Sequence, residues 1–160
     1  MRKTMICINA PTNTGKTSTI KKVHELLGGK EEVRNQEGDF VDVLMYGNTV
    51  IGCESEGDPP GEAQRQALEY LMGKKKCDIV IGASRTRDKT INNVKTLLRK
   101  YDYDVIWLTP TYAYDPLDGN KNAVCDFIAL KNAEIIIELI RQLINNKIRG
   151  KDIAHTLKQL

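Results

Sequence analysis

The chain has 160 residues, of which 41% are apolar and 28% charged, values typical of one folded globular domain and not of a disordered chain. Its 24 Lys and Arg exceed its 21 Asp and Glu by only three, so charge alone does not indicate binding to nucleic acid or to an anionic membrane. No apolar run approaches the roughly 18 residues of a membrane span, so we expect a cytoplasmic protein with no membrane partner.

Short apolar runs alternate along the chain with longer stretches of helical periodicity, which is typical of an α/β fold. The predicted strands cover residues 5–9, 40–45, 49–53, 79–83 and 105–108. The predicted helices cover residues 15–27, 62–72, 90–100 and 122–146, with 131–132 as a candidate break in the last one.

Two features of the apolar runs predict how the strands pair. Only Gly47 and Asn48 separate the second strand from the third, which indicates an antiparallel hairpin over about residues 39–54. The later strands are continuous apolar runs, as expected for strands covered on both faces. The predicted fold is therefore a single three-layer α/β domain over residues 1–160, with a mostly parallel sheet and helices on both faces. Because sequential strands are usually neighbours, we expect the third strand beside the first.

One motif carries most of the functional information. After the first strand the chain reads Ala10-Pro11-Thr12-Asn13-Thr14-Gly15-Lys16-Thr17-Ser18. This resembles the phosphate-binding loop (Walker A) of the P-loop NTPase superfamily, G-x-x-x-x-G-K-[ST], with Ala10 in place of the first glycine. A loop between a strand and a helix N-terminus turns backbone N–H groups towards an anion, at the positive end of the helix dipole.

The resemblance implies that the protein binds ATP or another nucleoside triphosphate together with Mg²⁺. Lys16 would reach the β- and γ-phosphates, the Thr17 hydroxyl would coordinate Mg²⁺, and Ser18 would contact the α-phosphate. The implied nucleotide-binding residues are Thr12, Asn13, Thr14, Gly15, Lys16, Thr17 and Ser18.

The superfamily also places an acid at the end of a second apolar strand, where it serves the magnesium ion. The predicted strands at 79–83 and 105–108 are followed by no acid. The strand at 49–53 is followed by Glu54, and Asp58 lies four residues further on. Glu54 is therefore the first candidate for the magnesium-binding or water-activating carboxylate and Asp58 the second. The alternative is that both are solvated acids in a loop rich in proline and glycine.

Two arginines follow the fourth strand, at the sheet edge where α/β proteins bind ligands. Arg85, and after it Arg87, could neutralise a transferring phosphoryl group or bind an anionic substrate. Alternatively this segment is a polar loop in which Thr86 or Asp88 caps the next helix. An acceptor pocket would be lined by Glu54, Asp58, Arg65, Arg85 and Arg87. Beyond the fifth strand, Tyr112 or Tyr114 could stack on the nucleotide base, or could be ordinary surface tyrosines.

Two functions from different classes fit this pattern. The first is a magnesium-dependent ATP hydrolase or small phosphotransferase, in which Lys16, Glu54, Asp58 and Arg85 are the catalytic residues and the acceptor is unknown. The second is a regulatory module that binds nucleotide and then a protein partner, with slow or no turnover. The intact Gly-Lys-Thr-Ser favours the first, and the lack of an Asp at a strand end favours the second. A fold retained without nucleotide binding is a third alternative.

Overall fold

The computed structural model describes residues 1–30, 38–58, 60–113 and 123–149. Within them, the strands are β1 (Thr4–Asn9), β2 (Val41–Tyr46), β3 (Thr49–Glu54), β4 (Ile79–Ser84) and β5 (Asp104–Leu108). The helices are α1 (Lys16–Leu26), α2 (Glu62–Leu68), α3 (Lys89–Tyr101) and α4 (Ala123–Ile144). The predicted alternation of strands and helices is confirmed.

Two helices differ from the prediction. The helix predicted over 62–72 widens after α2 into a π-helical segment, Glu69–Lys74, whose last turn closes through a bond from the Lys75 N–H to the Tyr70 carbonyl at 2.8 Å. The predicted break in α4 is wrong, because the helix runs unbroken through Asn132. The Asn132 side chain is buried and binds the backbone of Thr111, so it does not compete with the hydrogen bonds of its own helix.

The five strands form one sheet in the order β2-β3-β4-β1-β5. The pairs β3–β4, β4–β1 and β1–β5 are parallel, and β2–β3 is antiparallel. The predicted hairpin is confirmed, with Tyr46 opposite Thr49 and Gly47 at a φ of +59°. A positive φ in a tight hairpin favours glycine.

The prediction that the third strand lies beside the first is wrong, because β4 lies between them. Every residue of β4 is buried, whereas no residue of β2 is fully buried. A strand that is apolar on both faces gains most from a central position, and the half-exposed hairpin takes the edge of the sheet. The end of β3 is therefore one strand further from the phosphate-loop motif than expected.

Apolar side chains form a cluster on each face of the sheet. Ile6 and Ile8 of β1 pack with α1 and α4, and Met5 and Cys7 pack with α2, α3 and the π-helical segment. The polar residues Asn9 and Ser84 lie opposite each other at the carboxyl ends of β1 and β4, where the candidate site lies. In the part of the chain described here, no helix has the length and apolar character needed to cross a bilayer.

Candidate functional site

The segment 10–15 forms a tight loop between β1 and the start of α1. Asn13 and Gly15 have φ values of +58° and +76°, and the Thr14 hydroxyl closes the loop by donating to the Pro11 carbonyl at 2.8 Å. No side chain caps α1 at Gly15. The first N–H groups of a helix have no partner within the helix, so this end of α1 offers donors and a positive dipole to an anion.

Lys16 lies inside this loop. It is only 7% exposed, and its Nζ donates to the carbonyls of Ala10 at 3.0 Å and Pro11 at 2.6 Å. Burial lowers the Lys16 pKa from its ordinary value, with a further lowering by Arg85 and an opposing effect of Asp58. An ammonium group carries three N–H donors, so Lys16 has capacity for another acceptor.

An open cleft lies in front of the loop. One wall is formed by residues 13–18, and the other by Ser55, Gly57 and Asp58. Thr12 is exposed, and it is not one of the described residues that line this cleft. The structure thus brings six of the seven predicted nucleotide-binding residues to one cleft.

Asp39, which the sequence analysis missed, lies beside the predicted magnesium-binding threonine. The Thr17 hydroxyl donates to Asp39 Oδ1 at 3.2 Å, and the Ser55 hydroxyl donates to the same oxygen at 2.9 Å. Asp39 is 7% exposed. A signal was present in the sequence: Asp39 precedes an antiparallel strand, and such a strand begins at the edge where the parallel strands end.

The donor set at this position suits a magnesium ion only in part. A hydroxyl and a carboxylate are the hard oxygen ligands that Mg²⁺ prefers. Among the described residues, no group of three or more His, Cys, Asp or Glu side chains could hold a metal ion. A magnesium ion here would therefore depend on Thr17, Asp39, water and phosphate oxygens, which is the usual arrangement for an ion that arrives with a nucleotide.

Glu54 does not face Thr17. It is fully buried, and its carboxylate accepts from the N–H groups of Ala83 at 2.9 Å and Glu56 at 2.8 Å. Its assignment as a magnesium ligand depended on β3 lying beside β1, and β4 occupies that place. Burial raises the Glu54 pKa to about 8.

We expect this carboxyl group to make stability depend on pH. A raised pKa means that the folded protein retains a proton that the unfolded chain, with an ordinary value of about 4.5, releases. The stabilisation that the retained proton provides is fully present below the ordinary pKa of about 4.5, and it is lost as the pH rises through about 8. Urea unfolding at several values between pH 5 and pH 8 should give a free energy of unfolding that falls by up to ~1.4 kcal/mol per pH unit. Glu54→Gln should flatten this dependence, and parallel profiles for the two proteins would contradict the expectation.

Asp58 and Arg85 meet at the rim of the cleft. Asp58 Oδ1 accepts from Arg85 Nε at 3.2 Å and Nη2 at 3.1 Å. The alternative in which Asp88 caps the next helix is confirmed, because its Oδ1 accepts from the Thr90 N–H at 2.8 Å. The capped turn fixes the backbone that presents Arg85 at the end of β4.

The other predicted acceptor-pocket arginines lie elsewhere. Arg65 pairs with Glu62 at 2.6 Å and with Glu69 at 2.9 Å on the surface of its own helical segment. The acids three residues before and four after it were a sequence signal for this pairing. Arg87 is exposed in the loop after β4.

A second, shallow cleft adjoins the first, and the two share Thr14, Gly15 and Ser18. Tyr112, 49% exposed, lines its outer wall. The Asn132 side chain holds this wall by accepting from the Thr111 N–H at 3.2 Å and donating to the Thr111 carbonyl at 2.6 Å. Tyr114, the other candidate for base stacking, lies outside the described residues.

No family model matches the chain, and neither a curated protein nor a solved structure matches it.

Proposed function

We propose that the protein binds a magnesium–nucleoside triphosphate, with ATP as the first candidate, and hydrolyses or transfers its terminal phosphoryl group. The observation that carries this proposal is the position of Lys16: its buried ammonium lies against the carbonyls of Ala10 and Pro11, at the uncapped start of α1. A cation opposes the dipole at a helix N-terminus, so its placement there favours an anionic ligand. The motif on the same residues and the sheet edge on which it lies support a three-layer, P-loop NTPase-like domain.

The residues of the cleft divide into those that bind and those that act on the phosphates. The N–H groups at residues 13–17 and the Lys16 ammonium would hold the β- and γ-phosphates, with Lys16 exchanging loop carbonyls for phosphate oxygens. Thr17 and Asp39 would hold the magnesium ion. When bound, that ion would neutralise charge on the phosphate oxygens.

The rim pair provides the remaining chemistry. The Arg85 guanidinium would stabilise charge that develops on the transferred phosphoryl group, and the Asp58 carboxylate would orient the attacking water or acceptor hydroxyl. The two side chains bind each other at 3.1 Å across the rim, so both roles require this ion pair to open. An ion pair between partly exposed side chains contributes little to stability, so breaking it requires little free energy.

A specific observation favours the alternative, a nucleotide-dependent binding module with slow or no turnover. Of the two strands beside β1, β4 ends in Ser84 and not in an acid, and Ser84 Oγ accepts from Asn9 Nδ2 at 3.2 Å. The Ser84 hydroxyl is uncharged, so it cannot provide the negative charge beside magnesium that an acid would provide. Asp39, which precedes β2, would then be the principal acid near the metal.

Calorimetry separates these functions. Titrations with ATP and ADP, each with Mg²⁺ and with EDTA, measure binding, and release of phosphate or ADP with and without candidate acceptors measures turnover. Magnesium-dependent binding with turnover supports the enzyme, and the same binding without turnover supports the module. An absence of binding at millimolar nucleotide would contradict both.

Nucleotide binding should also stabilise the fold. A ligand that binds only the folded state at about 100 times its dissociation constant adds roughly 2.7 kcal/mol to the free energy of unfolding. For a domain of this size we expect a melting temperature several degrees higher with magnesium–ATP, measured by thermal scanning. An unchanged melting temperature at millimolar nucleotide would indicate a fold that does not bind it.

A further inference from the structure

The parallel ladder between β3 and β4 stops early. The two strands pair from Ile51 opposite Ile79 to Cys53 opposite Ile81, although β4 continues to Ser84. Beyond this point, the Ala83 N–H donates to the side chain of Glu54 and not to a backbone carbonyl. A carboxylate therefore takes the place of a ladder bond, at the carboxyl ends of the two strands.

Two glycines make room for this arrangement. A Cβ at Gly82 would overlap Glu54 Oε1, and a Cβ at Gly57 would lie 2.7 Å from the Cβ of Ala83. The second oxygen of Glu54 accepts from the Glu56 N–H at 2.8 Å. Glu54 thus joins β4 to the segment that follows β3, and the glycines allow that segment to lie directly on β4.

This segment, residues 55–58, carries the second wall of the phosphate cleft. The Ser55 hydroxyl binds Asp39 Oδ1 at 2.9 Å, and Asp58 binds Arg85 at the rim. A displacement of the segment would therefore move the carboxylate beside Thr17 and the rim pair together.

We propose that Glu54 is a positioning residue that holds segment 55–58 in the geometry required for magnesium-dependent nucleotide binding. Glu54 acts through Ser55 on Asp39 and through Asp58 on Arg85, and it does not touch the nucleotide. This inference rests on the proposed function. A glutamine at this position has one acceptor oxygen for two N–H donors, so one donor would face an NH₂ group and the segment would shift.

The experiment compares the full-length wild type with Glu54→Gln and with Gly82→Ala, whose methyl group displaces the same side chain without removing either of its oxygen atoms. Glu138→Gln, an exposed carboxylate on α4, is the matched control. The first readout is the ratio of the ATP dissociation constants in EDTA and in Mg²⁺. We expect this ratio to fall about tenfold in both variants, the effect of one lost buried hydrogen bond, with unchanged affinity in EDTA. A role confined to stability would lower the melting temperature and leave the ratio unchanged.

The second readout requires no nucleotide. We expect the hydrogen-exchange protection of the Glu56 amide to fall about tenfold in Glu54→Gln, whereas the amides at the centre of β1 keep theirs. Unchanged protection, or an unchanged affinity ratio in a folded variant, would overturn the proposal. If the wild type binds no ATP, the proposed function fails, and the exchange measurement alone decides whether Glu54 positions the segment.

Discussion

Lys16→Ala should lower the affinity for magnesium–ATP by at least about 100-fold and leave the protein folded. A charged hydrogen bond contributes roughly 1.5–3 kcal/mol, and Lys16 would make more than one to the phosphates. Its two bonds to Ala10 and Pro11 close the loop and do not link elements of the core, so we expect a loss of global stability of no more than about 1–2 kcal/mol. Calorimetry of ATP binding, together with a thermal scan, measures both effects.

The matched control for this variant is Lys22→Ala. Lys22 lies on the same helix, is half-exposed and pairs with Glu25 at 3.3 Å, and it does not line the cleft. This variant should bind magnesium–ATP as the wild type does. Tight ATP binding by folded Lys16→Ala would contradict the phosphate-binding assignment of the loop.

Asp39→Asn should remove the magnesium-dependent part of nucleotide binding and retain the affinity measured in EDTA. Asparagine keeps an oxygen for the Thr17 and Ser55 hydroxyls, so the local hydrogen bonds persist while the negative charge is lost. If the protein turns over ATP, we expect a loss of roughly 10² or more in rate, in the range found when a metal-site or acid–base group is removed. ATP titrations with Mg²⁺ and with EDTA, followed by phosphate release, measure these effects.

Asp42→Asn is the control for this second prediction. Asp42 lies in the adjoining strand β2, but its Oδ2 lies 2.6 Å from Nε2 of His24, in the last turn of α1, and neither residue lines the cleft. Asp58→Asn removes a carboxylate at the rim and should reduce turnover without changing the magnesium dependence of binding. Equal effects of Asp39→Asn and Asp42→Asn would show that Asp39 has no particular role at the metal.

Local patterns in the sequence predict the elements and the loop well. Gly47 and Asn48 specify the hairpin turn, and the position of Gly15 and Lys16 between an apolar strand and an amphipathic helix specifies the loop. Both depend on residues close together in the chain. Such signals do not change with the packing of distant strands.

The order of the strands is not predictable in the same way, and the errors at the site follow from it. Placing β3 beside β1 made Glu54 a magnesium ligand, whereas its partners are the Ala83 N–H of β4 and the Glu56 N–H of the segment that follows β3. Asp39 was missed because acids were sought only where strands end. The order of the strands depends on the burial of apolar surface across the whole sheet. No single segment of the sequence encodes that burial.

The hairpin of β2 and β3 has a consequence for how a bound nucleotide would act on the fold. β2 pairs with a strand on one side only, and units at the margin of a sheet open in the native state more readily than its centre does. Asp39 and Ser55 flank the strands of this marginal unit, whereas Lys16 and Thr17 follow β1, which pairs with a strand on each side. A transient opening of the hairpin would withdraw the acidic half of the cleft and leave the phosphate loop in place. A nucleotide held by both halves of the cleft would oppose that opening. Nucleotide binding is therefore linked to the local stability of the hairpin and not to the stability of the core.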